Sequence, residues 1–207
     1  MKRILGVGIV VCAATAGAAH AWEPGPYLGF ALGSTSFDLD VADYDDGNLL
    51  GGSVDTSDTG YKLFGGYRIT PNVGAELYYA NLGDSTFRGR AGAQVDHWCE
   101  GPVASEVEVD GLGVSLLGNV PVGRDFNIYG KFGIFAWDWD ARESDSCGNF
   151  RDSESGTELA FGAGVSYQIN YLTSVHLEWE RYNDVLDSFS GEFDVDFFSL
   201  GLSFSLY

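Results

Sequence analysis

The sequence of 207 residues predicts an all-β chain, an eight-stranded antiparallel up-and-down β-barrel that spans a membrane. Three observations carry that prediction. Positions 198, 200, 202, 204 and 206 read Phe, Leu, Leu, Phe, Leu, while Ser199, Gly201, Ser203 and Ser205 fill the places between, so the last strand has one large apolar face and one very small one. Seven further stretches alternate in the same sense, and long and short connections between them take turns. Glycine is abundant, 29 residues, and aromatics make up 14% of the chain, a pairing that suits backbones close together inside a narrow ring with side-chain rings belting its outside.

The chain opens with Met1, Lys2 and Arg3, an apolar run from Ile4 to Ala19, and then Ala19-His20-Ala21. A charged start, a greasy middle and a small-x-small site make residues 1–21 a secretory signal peptide, cut before Trp22 and leaving 22–207 as one barrel domain. The first strand, Tyr27 to Phe37, sets Leu28, Phe30 and Leu32 against Gly29, Ala31 and Gly33. Seven Asp and no base occur from Asp38 to Asp58, which reads as a long solvated loop. The second strand, Tyr61 to Ile69, turns Lys62, Phe64 and Arg68 away from Leu63 and Tyr67, and Thr70-Pro71-Asn72 is a tight turn into the third.

The third strand, Val73 to Leu82, has Val73, Leu77 and Tyr79 on one face with Glu76 and Tyr78 on the other, and a second loop is expected from Gly83 to Glu106. The fourth, Val107 to Val120, and the fifth, Phe126 to Asp138, put Leu112, Val114, Leu116, Ile128, Phe132 and Ile134 outward and Lys131 inward. A third loop is expected from Trp139 to Ser155. The sixth strand, Gly156 to Ile169, alternates Leu159, Phe161, Val165 and Tyr167 with Gly162, Gly164 and Ser166. In the seventh, Val175, Leu177 and Trp179 oppose Ser174, His176, Glu178 and Glu180, and a fourth loop from Asp184 to Glu192 precedes the last strand.

The net charge of −19 becomes more negative once Lys2 and Arg3 leave with the signal peptide, which excludes nucleic acid as a partner. After that peptide no run of about 18 apolar residues remains, so strands must do the crossing. A soluble eight-stranded barrel would hold its large apolar groups inside and polar ones outside; this pattern has the opposite polarity.

Through Tyr27-Leu28-Gly29-Phe30-Ala31-Leu32-Gly33, Gly60-Tyr61-Lys62-Leu63-Phe64-Gly65-Gly66-Tyr67, Ile128-Tyr129-Gly130-Lys131-Phe132-Gly133 and Phe161-Gly162-Ala163-Gly164-Val165-Ser166-Tyr167, the chain resembles the OmpA-like transmembrane β-barrels of the small outer-membrane protein superfamily. The resemblance implies location in the bacterial outer membrane among lipid and lipopolysaccharide, delivery by the barrel-assembly machinery, and a lumen filled by paired carboxylates and bases. It also implies that Phe198, Leu200, Leu202, Phe204 and Leu206 form the C-terminal assembly signal. The family usually ends on a Phe in register with the outer face, whereas here Leu206 holds that register and Tyr207 overhangs. The peptidoglycan-binding domain of full-length OmpA proteins does not appear in this sequence, so no cell-wall tether is expected.

Five charged side chains face inward from mid-strand, namely Lys62, Arg68, Glu76, Lys131 and Glu178, with His176 and Glu180 beside the last. Ions in a narrow lumen must pair, because an isolated buried one costs several kcal/mol. The expected role is a plugged lumen and a surface or envelope function for the acidic loops, with a small solute pore or a lipid A-modifying enzyme as alternatives. Ser174, His176 and Glu178 have the residue types of a relay, yet alternate residues on one strand stand about 6.8 Å apart, beyond the roughly 3 Å a relay needs. No catalytic residue, cofactor or metal site is assigned, since Asp38 to Leu50 lacks the Gly and Glu of a calcium loop. Cys99 and Cys147, in the second and third loops, are expected to pair as a disulfide in an oxidising compartment.

Overall fold

The computed structural model describes residues 24–44, 49–93, 98–185 and 193–206. The expected signal peptide 1–21, Trp22, His97, Tyr207 and most of the expected fourth loop lie outside the described residues. Nine strands follow one another: β1 Gly25–Phe37, β2 Leu49–Asp55, β3 Ser57–Thr70, β4 Val73–Ala91, β5 Gly101–Val122, β6 Phe126–Asp145, β7 Gly148–Gln168, β8 Thr173–Tyr182 and β9 Val195–Ser205, with a short 3-10 helix, Val41–Tyr44, between β1 and β2. All neighbours are antiparallel. Pairing of β1 with both β3 and β9, and of β4 with both β3 and β5, closes eight of them into a ring.

The ninth strand is a continuation. Thr56 alone separates β2 from β3, and both run along β4, β3 from Tyr61↔Asn81 downward and β2 from Asp55↔Thr86 upward. The interruption coincides with a ladder irregularity between Asn81 and Asp84, where Gly83 takes φ +77°. A side chain disfavours that left-handed backbone, and an added Cβ would also meet Asp58.

Three of the expected loops are corrected by this ladder. Within Asp38 to Asp58 stand the 3-10 helix and β2; β4 runs on to Ala91 and β5 starts at Gly101; and β6 and β7 extend to Asp145 and Gly148, leaving only a tight turn. The reason is physical: two long neighbours that leave the membrane side by side keep satisfying each other's N–H and C=O groups, so the pairing continues for as long as both chains stay extended.

The outward face carries Leu32 (58% exposed), Leu63 (54%), Leu116 (63%) and Leu200 (60%), an apolar band that water would penalise and lipid does not. Inside, glycines make room for rings. A Cβ on Gly113 would lie 2.1 Å from the Tyr78 ring and one on Gly66 2.3 Å from the Tyr27 ring, so these close approaches require glycine. The inner space divides into a polar half beside the short turns and an apolar half beneath the hairpins. The apolar half is a core of Phe37, Leu82, Val109, Phe135, Trp137, Trp139, Tyr182, Val195 and Phe197.

Candidate functional site

Parity along each strand decides which side chains enter the lumen. Lys62 comes from β3, Glu76 from β4, Lys131 from β6, and Glu178 and Glu180 from β8, all buried. Lys131 Nζ lies 2.6 Å from Glu76 Oε1, 2.8 Å from Glu178 Oε2 and 3.6 Å from Glu180 Oε1. Lys62 Nζ pairs with both Glu178 and Glu180. Three carboxylates therefore share two ammonium groups, and three phenols donate to the same carboxylates: Tyr27 to Glu76 at 3.0 Å, Tyr129 to Glu178 at 2.7 Å and Tyr182 to Glu180 at 3.4 Å. Glu180, which the sequence places only beside Glu178, bridges both lysines.

Arg68 lines the cavity on the short-turn side, with its guanidinium 5.1 Å from the centre of the Tyr27 ring. The polar wall of that cavity is formed by Asn119, Asn127, Ser166, His176 and Ser199, beside Ala31, Phe64 and Leu117, and the cavity reaches Glu76 and Lys131. His176 Nε2 stands 2.6 Å from Ser203 Oγ on the neighbouring β9, while Glu178 is engaged by the lysines and Tyr129. His176 and Glu178 thus look to different partners.

On the other side of the charged layer, Tyr78 and Phe135 stack at 6.1 Å and Phe135 meets Tyr182 at 4.6 Å. Tyr78 sits on the inward face where the sequence places it, and Phe135 and Tyr182 complete the layer. Phe135 and Trp137 share the inward parity of Lys131 within the expected fifth strand, and Trp139, between Asp138 and Asp140, continues that face beyond the strand's expected end.

Above the apolar band, Cys99 and Cys147 are joined by a disulfide with Cα atoms 5.9 Å apart. Asp145 organises the turn by accepting from the N–H groups of Cys99 at 3.0 Å, Cys147 at 2.8 Å and Gly148 at 3.1 Å. A second small core, Phe87, Ala91, Trp98 and Val103 with Tyr44 stacked 4.5 Å over Phe87, fastens the 3-10 helix to the hairpins. Burial there raises the Tyr44 phenol above its ordinary pKa. Near the bend, partial burial and the neighbouring Asp58 raise the Asp84 carboxyl. Partial burial also acts on Asp58 itself, but the N–H groups of Asp84 and Thr59 outweigh it and lower that carboxyl.

The profile of the outer membrane protein beta-barrel domain matches residues 7–205. The chain belongs to that family. Among curated relatives, Outer membrane protein A of Shigella flexneri is 26% identical over 187 residues, 87% of this chain and 49% of that protein, and its counterpart in Klebsiella aerogenes is 26% identical over 191 residues, again 87% and 49%. The chain spans about half the length of the curated relatives it matches. In fold it is similar to Neisserial surface protein A (TM-score 0.55, 10% identity, 88% of this chain and 97% of that one). Ail, the attachment invasion locus protein of Yersinia pestis, gives TM-score 0.53 at 17% identity over 89% and 100%, and OprG of Pseudomonas aeruginosa gives 0.52 at 17% over 91% and 98%. As a member of the outer membrane protein β-barrel family, the protein resides in the bacterial outer membrane. Barrels of this membrane keep short turns in the periplasm and long connections outside, so the polar cavity opens inward and the hairpins rise from the cell.

Proposed function

We propose that this is a closed outer-membrane barrel that serves the envelope as a structural and surface-interaction protein through its acidic external hairpins, without catalytic turnover. The single observation that carries the reading is the content of the lumen: a charged layer of Lys62, Glu76, Lys131, Glu178 and Glu180 capped by the Tyr78, Phe135, Tyr182 and Phe197 rings. Eight strands enclose just enough space for side chains to fill. Its partners are lipid and lipopolysaccharide around the barrel, the barrel-assembly machinery during insertion, and a surface ligand at the hairpins. Against an enzymatic role, the His176 and Ser203 pair points into the lumen, and Ser203 is 1% exposed, out of reach of membrane lipid.

A second reading, a small solute pore, is favoured by the periplasmic cavity that reaches the charged layer. Planar-bilayer recording decides between them. The wild type is expected to show no steady conductance, and Lys131→Ala to show brief openings as water enters beside the freed Glu76. A large, steady wild-type conductance that the substitution leaves unchanged would replace the closed barrel with the pore.

A further inference from the structure

Four arginines, Arg88, Arg90, Arg142 and Arg151, stand among the described external residues of β4, β6 and β7, on a chain of net charge −19. Three of them, Arg88, Arg142 and Arg151, line one outward-facing cleft together with Ser105, Ser144, Asn149 and two carboxylates, Glu106 and Glu143. Strand register explains how they meet. Thr86, Glu106, Arg142 and Arg151 form one rung across β4 to β7, and Arg88, Ala104, Ser144 and Asn149 form the next but one. Arg142 and Arg151 are thus direct cross-strand neighbours, a placement that like charges disfavour.

Nearby acid compensates them only in part. Arg142 reaches Glu106 at 3.3 Å, but Arg88 and Arg151 make no ion pair among the described residues. Beyond Glu106 and Glu143, further carboxylates stand one alternate rung toward the membrane, as Asp84, Glu108 and Asp140. Two guanidiniums without an ion pair among the described residues, beside a third, outnumber the two carboxylates of the cleft and make a site for an anion with several acceptor oxygens, because the guanidinium fork matches phosphate bidentately.

Height selects the source of that anion. Ile134 and Leu159, paired on one rung, end the apolar band on β6 and β7, and Arg142 and Arg151 lie eight residues beyond them. At about 3.4 Å per residue and a tilt of about 40°, that is about 20 Å above the hydrocarbon. Headgroups occupy only about 5 to 8 Å there, so lipid phosphates are out of reach and the saccharide layer is at the right level. The acidic rung below and the overall negative charge repel a long polyanion while leaving room for one compact group within a Debye length of about 8 Å.

We propose that Arg88, Arg142 and Arg151 form a binding site for phosphate groups carried on the core saccharide of neighbouring lipopolysaccharide. This deepens the reading of the hairpins as the working part of the protein, and it is tested by binding rather than conductance, so either can fail without the other. The full chain, refolded in detergent, is titrated calorimetrically with core oligosaccharide that retains its phosphates, with the same oligosaccharide after dephosphorylation, and with a long sulfated polysaccharide. Binding of the first alone is expected, weakened by added salt and at least tenfold by the combined Arg88→Gln, Arg142→Gln and Arg151→Gln substitutions, while Arg124→Gln at a periplasmic turn changes nothing. All the substituted side chains are exposed, and an unchanged heat-modifiable band reports that the barrel is intact. Equal binding of the dephosphorylated sugar, equal binding by the triple variant, or capture of the sulfated polymer alone would each overturn the assignment.

Discussion

Lys62 illustrates how a single side chain governs the interior. It is fully buried and meets two carboxylates, so removing its charge strands Glu180, whose other ammonium partner is 3.6 Å away. Lys62→Met is expected to destabilise the refolded barrel by about 3 to 5 kcal/mol, read from urea unfolding in lipid vesicles, and adding Glu180→Gln should recover part of that loss. Arg142→Gln, which breaks an exposed pair, should cost less than about 1 kcal/mol in the same assay. A loss at Lys62 no larger than at Arg142 would mean that the charged layer is wet. The inward direction of Lys62, Glu76, Lys131 and Glu178 was legible from parity along each strand. Which carboxylate meets which ammonium was not, because that depends on the stagger between strands, a quantity that alternation within one strand does not contain.

The external hairpins are elements in their own right, with their own buried residues and a covalent tie. The disulfide links the connection between β4 and β5 to the turn between β6 and β7, outside the apolar band. Closing 48 residues contributes at most about 4 kcal/mol on the chain-entropy model, and less where the ladder already restrains the chain. Reduction is therefore expected to speed protease cleavage between Ala91 and Gly101 while leaving the heat-modifiable band in place; loss of that band would show that the tie holds the whole ring. The lipid-facing parts of the strands could be read from sequence because lipid imposes a strict alternation of large and small residues. The hairpins could not, since Asp, Ser and Gly on an outward face look the same in a solvated loop and in a solvated strand. Only inner residues carry the distinction: Val107, Val109 and Trp137 mark the ends of expected strands, and Trp139 alone of these falls in a stretch expected to be a loop.

At the scale of the molecule, the ring is continuous, and its seam is no different from its other joints. β1 and β9 pair from Tyr27↔Ser205 to Phe37↔Val195, and the Leu206 N–H donates to the Pro26 carbonyl at 2.9 Å, so the described ends lie side by side at the periplasmic rim. Where the chain begins is then a matter of genetics rather than of architecture. A circularly permuted protein that starts at Arg124, in the exposed turn after β5, and carries a short Gly-Ser bridge from the end of β9 to Gly25 should refold in detergent to the same heat-modifiable form. In cells the same permutant should assemble poorly, because Phe198 to Leu206 no longer end the chain and β5 ends it instead. Failure to refold would mean that the order of strand addition shapes the fold, and normal assembly in cells would mean that the machinery reads a completed surface rather than a final strand. Should both expected outcomes be observed, the ring separates two kinds of information that a linear gene writes in one line, the instruction for the shape and the address for its delivery.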